Sequence, residues 1–368
     1  MKNKQTYKYY FIAGEASGDL HGGNLIKEIK KQQPNASFFG VGGPTMEKEG
    51  LKSIVSIKEL AVLGFWEVLK KLSFFLKLKT DVIKNIQTVQ PDKVILIDYP
   101  GFNLKIAESL RKKSSIPIVY YISPQLWAWK EGRLANIKKN VSKMIVLFPF
   151  EKEWYLDRGY KSYYFGHPLI ELHSMFLKKY KKKNYNSSFV IGLFPGSRKQ
   201  ELAKHLPLYK KIIKSLNKKH KNIHYIVRLF DGEGFDPQLS LGLNKNFSIE
   251  KRESFYAFHD CDFALVASGT ATLEGAITNT PMAVIYKTSW ASWFIAKLFL
   301  NVRFVSIVNI LSNDLVVEEF LQNNATSQKI TKYVLNIINQ KTTIEYSKIH
   351  QLLYKKNIYK NTSSEIIK

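Results

Sequence analysis

The chain has 368 residues, 45% hydrophobic and 13% aromatic, a length that suits two domains with separate cores. Its 56 Lys and Arg against 30 Asp and Glu leave a formal charge of +26, which fits a solvated basic surface, attraction to an anionic membrane, or nucleic acid. The single cysteine, Cys261, excludes an intrachain disulfide and fits a reducing cytoplasm, and no uninterrupted run of 18 apolar residues offers a spanning helix.

Along the chain, "MKNKQTYKYYFIAGE" enters a strand directly, without the apolar core and cleavage site of a signal peptide. That strand, "YYFIA" (9–13), runs into "AGEASGDLHGG" (13–23), whose glycines permit close backbone approach. Ser17 and Asp19 are candidates to cap a helix beginning near Leu20 and running to Lys31, with Leu25, Ile26 and Ile29 on one side. The spacing is not G-x-G-x-x-G, so the turn is either an ordinary strand-to-helix connection or an anion site.

The second strand expected is "SFFGV" (37–41). "VLGFWEVLKKLSFFLKLK" (62–79) then sets Val62, Phe65, Trp66, Leu69, Leu72 and Leu76 at helical spacing beside Lys70, Lys71 and Lys77. Such a helix lies on a membrane surface or packs an amphipathic face into the core. "KVILID" (93–98) ends in Asp98, a carboxylate at the mouth of a buried strand, placed for a general base or for a helix cap. "IPIVYYI" (116–122) leads into "YYISPQLWAWKEGR" (120–133), where two tryptophans with Pro124, Lys130 and Arg133 form either a wall for a sugar or acyl chain, or core. "KMIVLF" (143–148) closes this series, and the Lys-rich stretch 177–187 separates it from the next.

The second series holds "SFVIGLF" (188–194), "HYIVRLF" (224–230), "DFALVA" (262–267) and "PMAVIY" (281–286). After its first strand comes "FPGSR" (194–198). There Ser197 and Arg198 would meet an anion with a hydroxyl, a guanidinium fork and helix N–H groups. After "DFALV" comes "ASGTATLEG" (267–275), where Ser268, Gly269, Thr270 and Ala271 open a helix and Glu274 lies within it. Two phosphate-suited turns and a carboxylate able to accept from ribose hydroxyls favour a nucleotide. "TSWASWFIAKLFLNVRF" (288–304) is a second aromatic, basic segment suited to a membrane surface. The remainder after about 315 reads as helices and a polar tail.

Continuous apolar strands alternating with helices imply parallel sheets covered on both faces, in two doubly wound domains. Ligands of such sheets bind beyond the carboxyl ends of the strands. No G-x-x-x-x-G-K-[ST] loop, H-E-x-x-H pair or G-x-S-x-G elbow occurs, and the eight histidines lack metal-ligand spacing, so no metal is expected. The dispersed charge argues against a nucleic-acid arm, and no nucleic-acid partner is expected.

Taken together, these segments resemble the lipid-A-disaccharide synthase family of GT-B glycosyltransferases. The resemblance rests on "AGEASGDLHG" (13–22), "FGVGGPTMEKEG" (39–50), "LAVLGFWEVL" (60–69), "IDYPGFN" (97–103), "YYISPQLWAW" (120–129), "FPFE" (148–151), "GHP" (166–168), "FPGSR" (194–198), "ASGTATLE" (267–274) and "VNIL" (308–311). They span about residues 8 to 320 in the family's order. Val308 departs from it, replacing the proline of the family's "PNLL".

The resemblance implies two Rossmann-like domains facing a cleft. The acceptor would bind within 1–170 and the UDP-sugar within 186–345, with the tail, 346–368, packing back on the first domain by analogy. It implies transfer from UDP-2,3-diacylglucosamine to 2,3-diacylglucosamine 1-phosphate, giving a β-1,6-linked disaccharide 1-phosphate and UDP. Inversion, no cofactor and peripheral attachment to the cytoplasmic face of the inner membrane are expected with it. Asp98 matches the family's proposed base and Arg198 the arginine of the phosphate turn. Glu274 and Asn309 match nucleotide-side positions, while Glu15, Ser17, Gly18, Asp19 and His21 fall in the amino-terminal glycine-rich loop expected to bind substrate. The rivals are another GT-B enzyme using UDP-N-acetylglucosamine and a non-catalytic basic protein binding RNA or membranes.

Overall fold

The computed structural model describes residues 6–60, 72–185, 188–196, 199–229, 235–288, 303–340 and 343–368. The chain divides into two compact units, one of Met1–Glu171 with Leu353–Lys368 and one of Leu172–Leu352. The first is therefore discontinuous in sequence.

The first unit carries a seven-stranded, all-parallel sheet in the order β3-β2-β1-β4-β5-β6-β7. Its strands are β1 (Lys8–Ala13), β2 (Ser37–Gly42), β3 (Leu51–Ser56), β4 (Lys93–Ile97), β5 (Ile118–Tyr121), β6 (Lys143–Val146) and β7 (Ser162–Tyr164). Crossovers between them include α1 (Ala16–Gln32), α2 (Pro44–Lys48), α3 (Ile57–Leu60), α4 (Leu72–Val89), α5 (Pro100–Arg111), α6 (Leu134–Asn140) and α7 (Pro149–Asp157). Central strands are buried on both faces: every residue of Val94–Ile97 is 0% exposed. That is why β4 reads as an unbroken apolar run rather than an alternating one. Leu25, Ile26 and Ile29 of α1 are fully buried, as their spacing predicts.

After α8 (Pro168–Leu177), the second unit builds a six-stranded parallel sheet, β10-β9-β8-β11-β12-β13. Its strands are β8 (Phe189–Phe194), β9 (Ile223–Arg228), β10 (Phe247–Glu250), β11 (Phe263–Ala267), β12 (Met282–Tyr286) and β13 (Glu318–Leu321). Helices α9 (Lys199–Lys219), α10 (Pro237–Leu241), α11 (Ser254–Asp260), α12 (Thr270–Ile277), α13 (Ile307–Ser312), α14 (Ser327–Gln340) and α15 (Ser347–Leu353) accompany them. Strand β13 lies in the region expected to be only helical. It pairs with β12 and closes that edge of the sheet. The last helix, α16 (Ile358–Ile367), packs on α1 within the first unit.

Both sheets reverse their winding direction beside their first strand, between β1 and β4 in one unit and between β8 and β11 in the other. Loops leaving neighbouring strands in opposite senses open a crevice at such a switch point, and ligands of doubly wound sheets collect there.

Candidate active site

In the first unit the switch point is flanked by the 13–15 turn after β1 and by Asp98 after β4. Asp98 and Tyr99 both hold left-handed backbone, at φ 45° and 49°. Two non-glycine residues in that region store local strain, which the surroundings must hold in place. The Asp98 carbonyl accepts from Asn103 Nδ2 at 2.7 Å and from the Tyr120 hydroxyl at 2.6 Å, and its N–H donates to Tyr121 O. Pro100, at the first turn of α5, continues from this kink with its φ already set.

Gly14 is required by contact: a Cβ there would lie 2.5 Å from the Tyr99 ring. The glycine lets the first turn close on the second and brings Glu15 within electrostatic reach of Asp98. Burial, reinforced by the Glu15 charge and opposed by the Tyr99 N–H, pushes the Asp98 carboxyl up to about 6. Asp98 is thus a carboxylate near neutral pH with a raised proton affinity, which is what a general base needs.

The other residues of the loop divide. Glu15 and Ser17 are exposed at the start of α1, which begins at Ala16 and not near Leu20 as the pattern predicts. Gly18 is buried against Ala13. Asp19 does not cap its own helix. Its carboxylate accepts from the N–H groups of Gly43 (2.8 Å), Thr45 (2.9 Å) and Met46 (3.0 Å), so it caps α2 and ties two crossovers together. His21 is buried, and its Nδ1 pairs with the Tyr359 hydroxyl of α16 at 2.7 Å. Burial drives its basicity down to about 4, so the ring is neutral at pH 7. Asp19 and His21 thus act as structural ties within the first unit.

The loop after β5 adjoins Asp98 through Tyr120. Trp127 donates from Nε1 to Glu151 Oε1 at 3.1 Å, while Trp129 stays 45% exposed. One tryptophan is therefore anchored and the other is on the surface. Glu151, quoted in the sequence only as part of "FPFE", is 2% exposed, and its Oε2 also accepts from the N–H groups of Leu147 and Phe148. Its role was hidden because Trp127 lies 24 positions away.

In the second unit, Ser197 and Arg198 lie outside the described residues. Pro195, just before them, is fixed by His205, whose ring is 0% exposed. His205 Nδ1–H donates to Pro195 O at 2.7 Å, and its Nε2 accepts from Lys287 N–H at 3.0 Å, an assignment of the tautomer that both partners require. One histidine thus ties the turn after β8 to the end of β12.

Across the switch point, Gly269 has φ 132°, a conformation that side chains disfavour, and begins α12. Gly269 and Thr270 are exposed and Ala271 is half-buried, so the free N–H groups of this helix start can be reached from solvent. Ser268 donates to Val305 O at 3.2 Å. Glu274 sits one turn further in, hydrogen-bonded to Ser254. Burial lifts its carboxyl to about 7, opposed by the Ser254 hydrogen bond and the Arg228 charge and raised further by Glu253.

Asn309 belongs elsewhere. It is 0% exposed; its Nδ2 donates to Val317 O and Glu319 Oε1, and its Oδ1 accepts from Val316 and Val317 N–H. With its amide consumed, it anchors α13 to the approach of β13. Among the described residues, no group of three or more His, Cys, Asp or Glu converges, and no helix is long and apolar enough to cross a membrane. The segments 62–79 and 288–304 fall largely on residues 61–71 and 289–302, outside the described residues.

Two all-parallel units, each with a switch point flanked by exposed turns, define the class as a GT-B α/β protein. Solved structures agree. A putative UDP-N-acetylglucosamine 2-epimerase from Listeria monocytogenes aligns over 97% of this chain and 94% of its own, with TM-score 0.67 at 11% identity. The calicheamicin glycosyltransferase CalG4 aligns over 99% and 98%, with TM-score 0.62 at 11% identity. The sequence is more particular. The family model described as lipid-A-disaccharide synthetase matches residues 9–367. Lipid-A-disaccharide synthase 1 of Legionella pneumophila (strain Paris) is 35% identical over 335 residues, covering 88% of this chain and 86% of that protein. The chain belongs to the lipid-A-disaccharide synthase family, and with it to the glycosyltransferases of lipid A biosynthesis.

Proposed function

We propose that the protein joins UDP-2,3-diacylglucosamine to 2,3-diacylglucosamine 1-phosphate with inversion at the donor anomeric carbon. The acceptor 6-hydroxyl oxygen forms the new bond to C1, the bond from C1 to the β-phosphate oxygen breaks, and the hydroxyl proton passes to Asp98. UDP leaves with the bonding electrons and added negative charge. The observation that carries this is Asp98, a strained carboxylate beside a switch point, with its proton affinity raised to about 6. Arg198 and the N–H groups at 269–271 would receive the charge on UDP, since fixed donors stabilise charge as it develops. Glu274 would accept from ribose hydroxyls. Contact with the cytoplasmic face of the inner membrane is supported by the +26 charge and the two aromatic, basic segments.

The test is turnover by purified protein with both lipids, read by mass spectrometry with and without chelator. Disaccharide 1-phosphate formed in chelator is the expected result. Asp98→Asn should lower turnover by at least about a hundredfold while UDP binding stays intact, because general-base catalysis contributes on the order of 10²–10⁴. Arg198→Ala should weaken both binding and rate. Near-normal turnover by Asp98→Asn would remove the base assignment, and normal UDP binding by Arg198→Ala would remove the phosphate role.

A further inference from the structure

The segment 122–130 is held with unusual care for a surface loop. It leaves β5 at Ile122, a β-branched residue at φ 67°, and ends at Lys130, at φ 60°. Left-handed backbone at two such side chains persists only where neighbours enforce it. Helix α7 does so at two points. Glu151 accepts Trp127 Nε1–H, and one turn further on the Tyr155 hydroxyl pairs with Ser123 Oγ at 2.9 Å. The Trp127 ring packs edge-on against Phe150 at 4.9 Å. Capping α7 needs only the N–H groups of Leu147 and Phe148, which share Glu151 Oε2. The other oxygen is spent on the loop.

What the clamp presents is Trp129, 45% exposed, with Lys130 Nζ 4.2 Å from its ring centroid. An exposed indole stacks on the C–H face of a sugar, and an ammonium pairs with a phosphate. Tyr120, in the strand that leads into the loop, hydrogen-bonds the Asp98 backbone carbonyl, so the strand carrying the loop is tied to the residue proposed as the base. We propose that Trp129 and Lys130 form the binding face for the phosphorylated sugar acceptor, and that Glu151 is a positioning residue holding this face through Trp127. The identity of the acceptor rests on the function proposed above.

Trp127→Phe tests the clamp with little risk to the fold, because the ring contact with Phe150 and the α7 cap both remain. It should lower kcat/KM for the acceptor roughly tenfold, about the worth of one buried hydrogen bond, chiefly through KM. It should also speed hydrogen exchange across 123–130. Trp127→Phe combined with Glu151→Gln should be no worse than Glu151→Gln alone, since both remove one interaction. Wild-type kinetics and exchange in Trp127→Phe would overturn the clamp. Equilibrium binding of diacylglucosamine 1-phosphate to wild type and Lys130→Ala tests the face apart from turnover. Weaker binding by the variant supports it even if no product forms, in which case the donor or reaction is what has been misassigned. Equal binding by both overturns it.

Discussion

Asp98 makes the stability of the first unit depend on pH. Its folded proton affinity, about 6, lies above the ordinary aspartate value of 3.8. Between those values the folded chain holds a proton that the unfolded chain releases, so stability falls as pH rises through that window. The penalty is full above about 6 and absent below about 3.8. Asp98→Asn should therefore raise the melting temperature at pH 8, by up to about 3 kcal/mol of stability, and do so much less at pH 4. Asparagine also tolerates left-handed backbone better than most residues. Wild-type kcat/KM should fall on the acid side with a midpoint near 6. Equal effects of the variant at both pH values would refute the account. The place of Asp98 at a strand mouth was legible in the sequence because it follows an apolar run. The internal partners of Asp19 and Asn309 were not, because a polar residue in a turn looks the same whether or not backbone N–H groups elsewhere in the chain bond to it.

At the scale of elements, the sequence discloses what is buried on both faces. Strands β1, β2, β4, β5, β6, β8, β9, β11 and β12 all fall on the apolar runs. Edge strands escaped: β3 has one buried residue, Leu51, and then alternates exposed with half-buried ones, while β7 has only three residues and β10 and β13 four each. Half-exposed short strands carry too few apolar residues to stand out from loops. The turns at the switch points were legible as glycine-rich punctuation, but their supports were not. His205 lies ten residues beyond the proline it fixes. His205→Ala should leave Pro195 O and Lys287 N–H without these partners, lower thermal stability, and weaken UDP binding about tenfold by calorimetry. Unchanged affinity would mean that the turn holds its shape unaided.

The whole molecule is two units threaded so that the first is finished by the last residues. Besides His21 and Tyr359, α16 is joined to the first unit by the Gln32 amide with Ser363 and Ser364, by the Lys143–Glu365 ion pair at 2.8 Å, and by Lys93 Nζ on Ile366 O. Tyr359 and Ile366 are 1% and 0% exposed. Removing 354–368 should lower the unfolding temperature of the first unit and leave that of the second unchanged, as two resolved transitions in scanning calorimetry. A single unshifted profile would show α16 to be dispensable.

That threading also sets an order of events at the ribosome. Nascent domains ordinarily fold in the order they emerge. Here the amino-terminal unit is translated first yet lacks a helix that is translated only after the whole second unit, whereas residues 172–352 form an uninterrupted unit. Every residue of the second unit is therefore made before α16, while the first unit waits, with the surface of α1 uncovered, for residues 358–367.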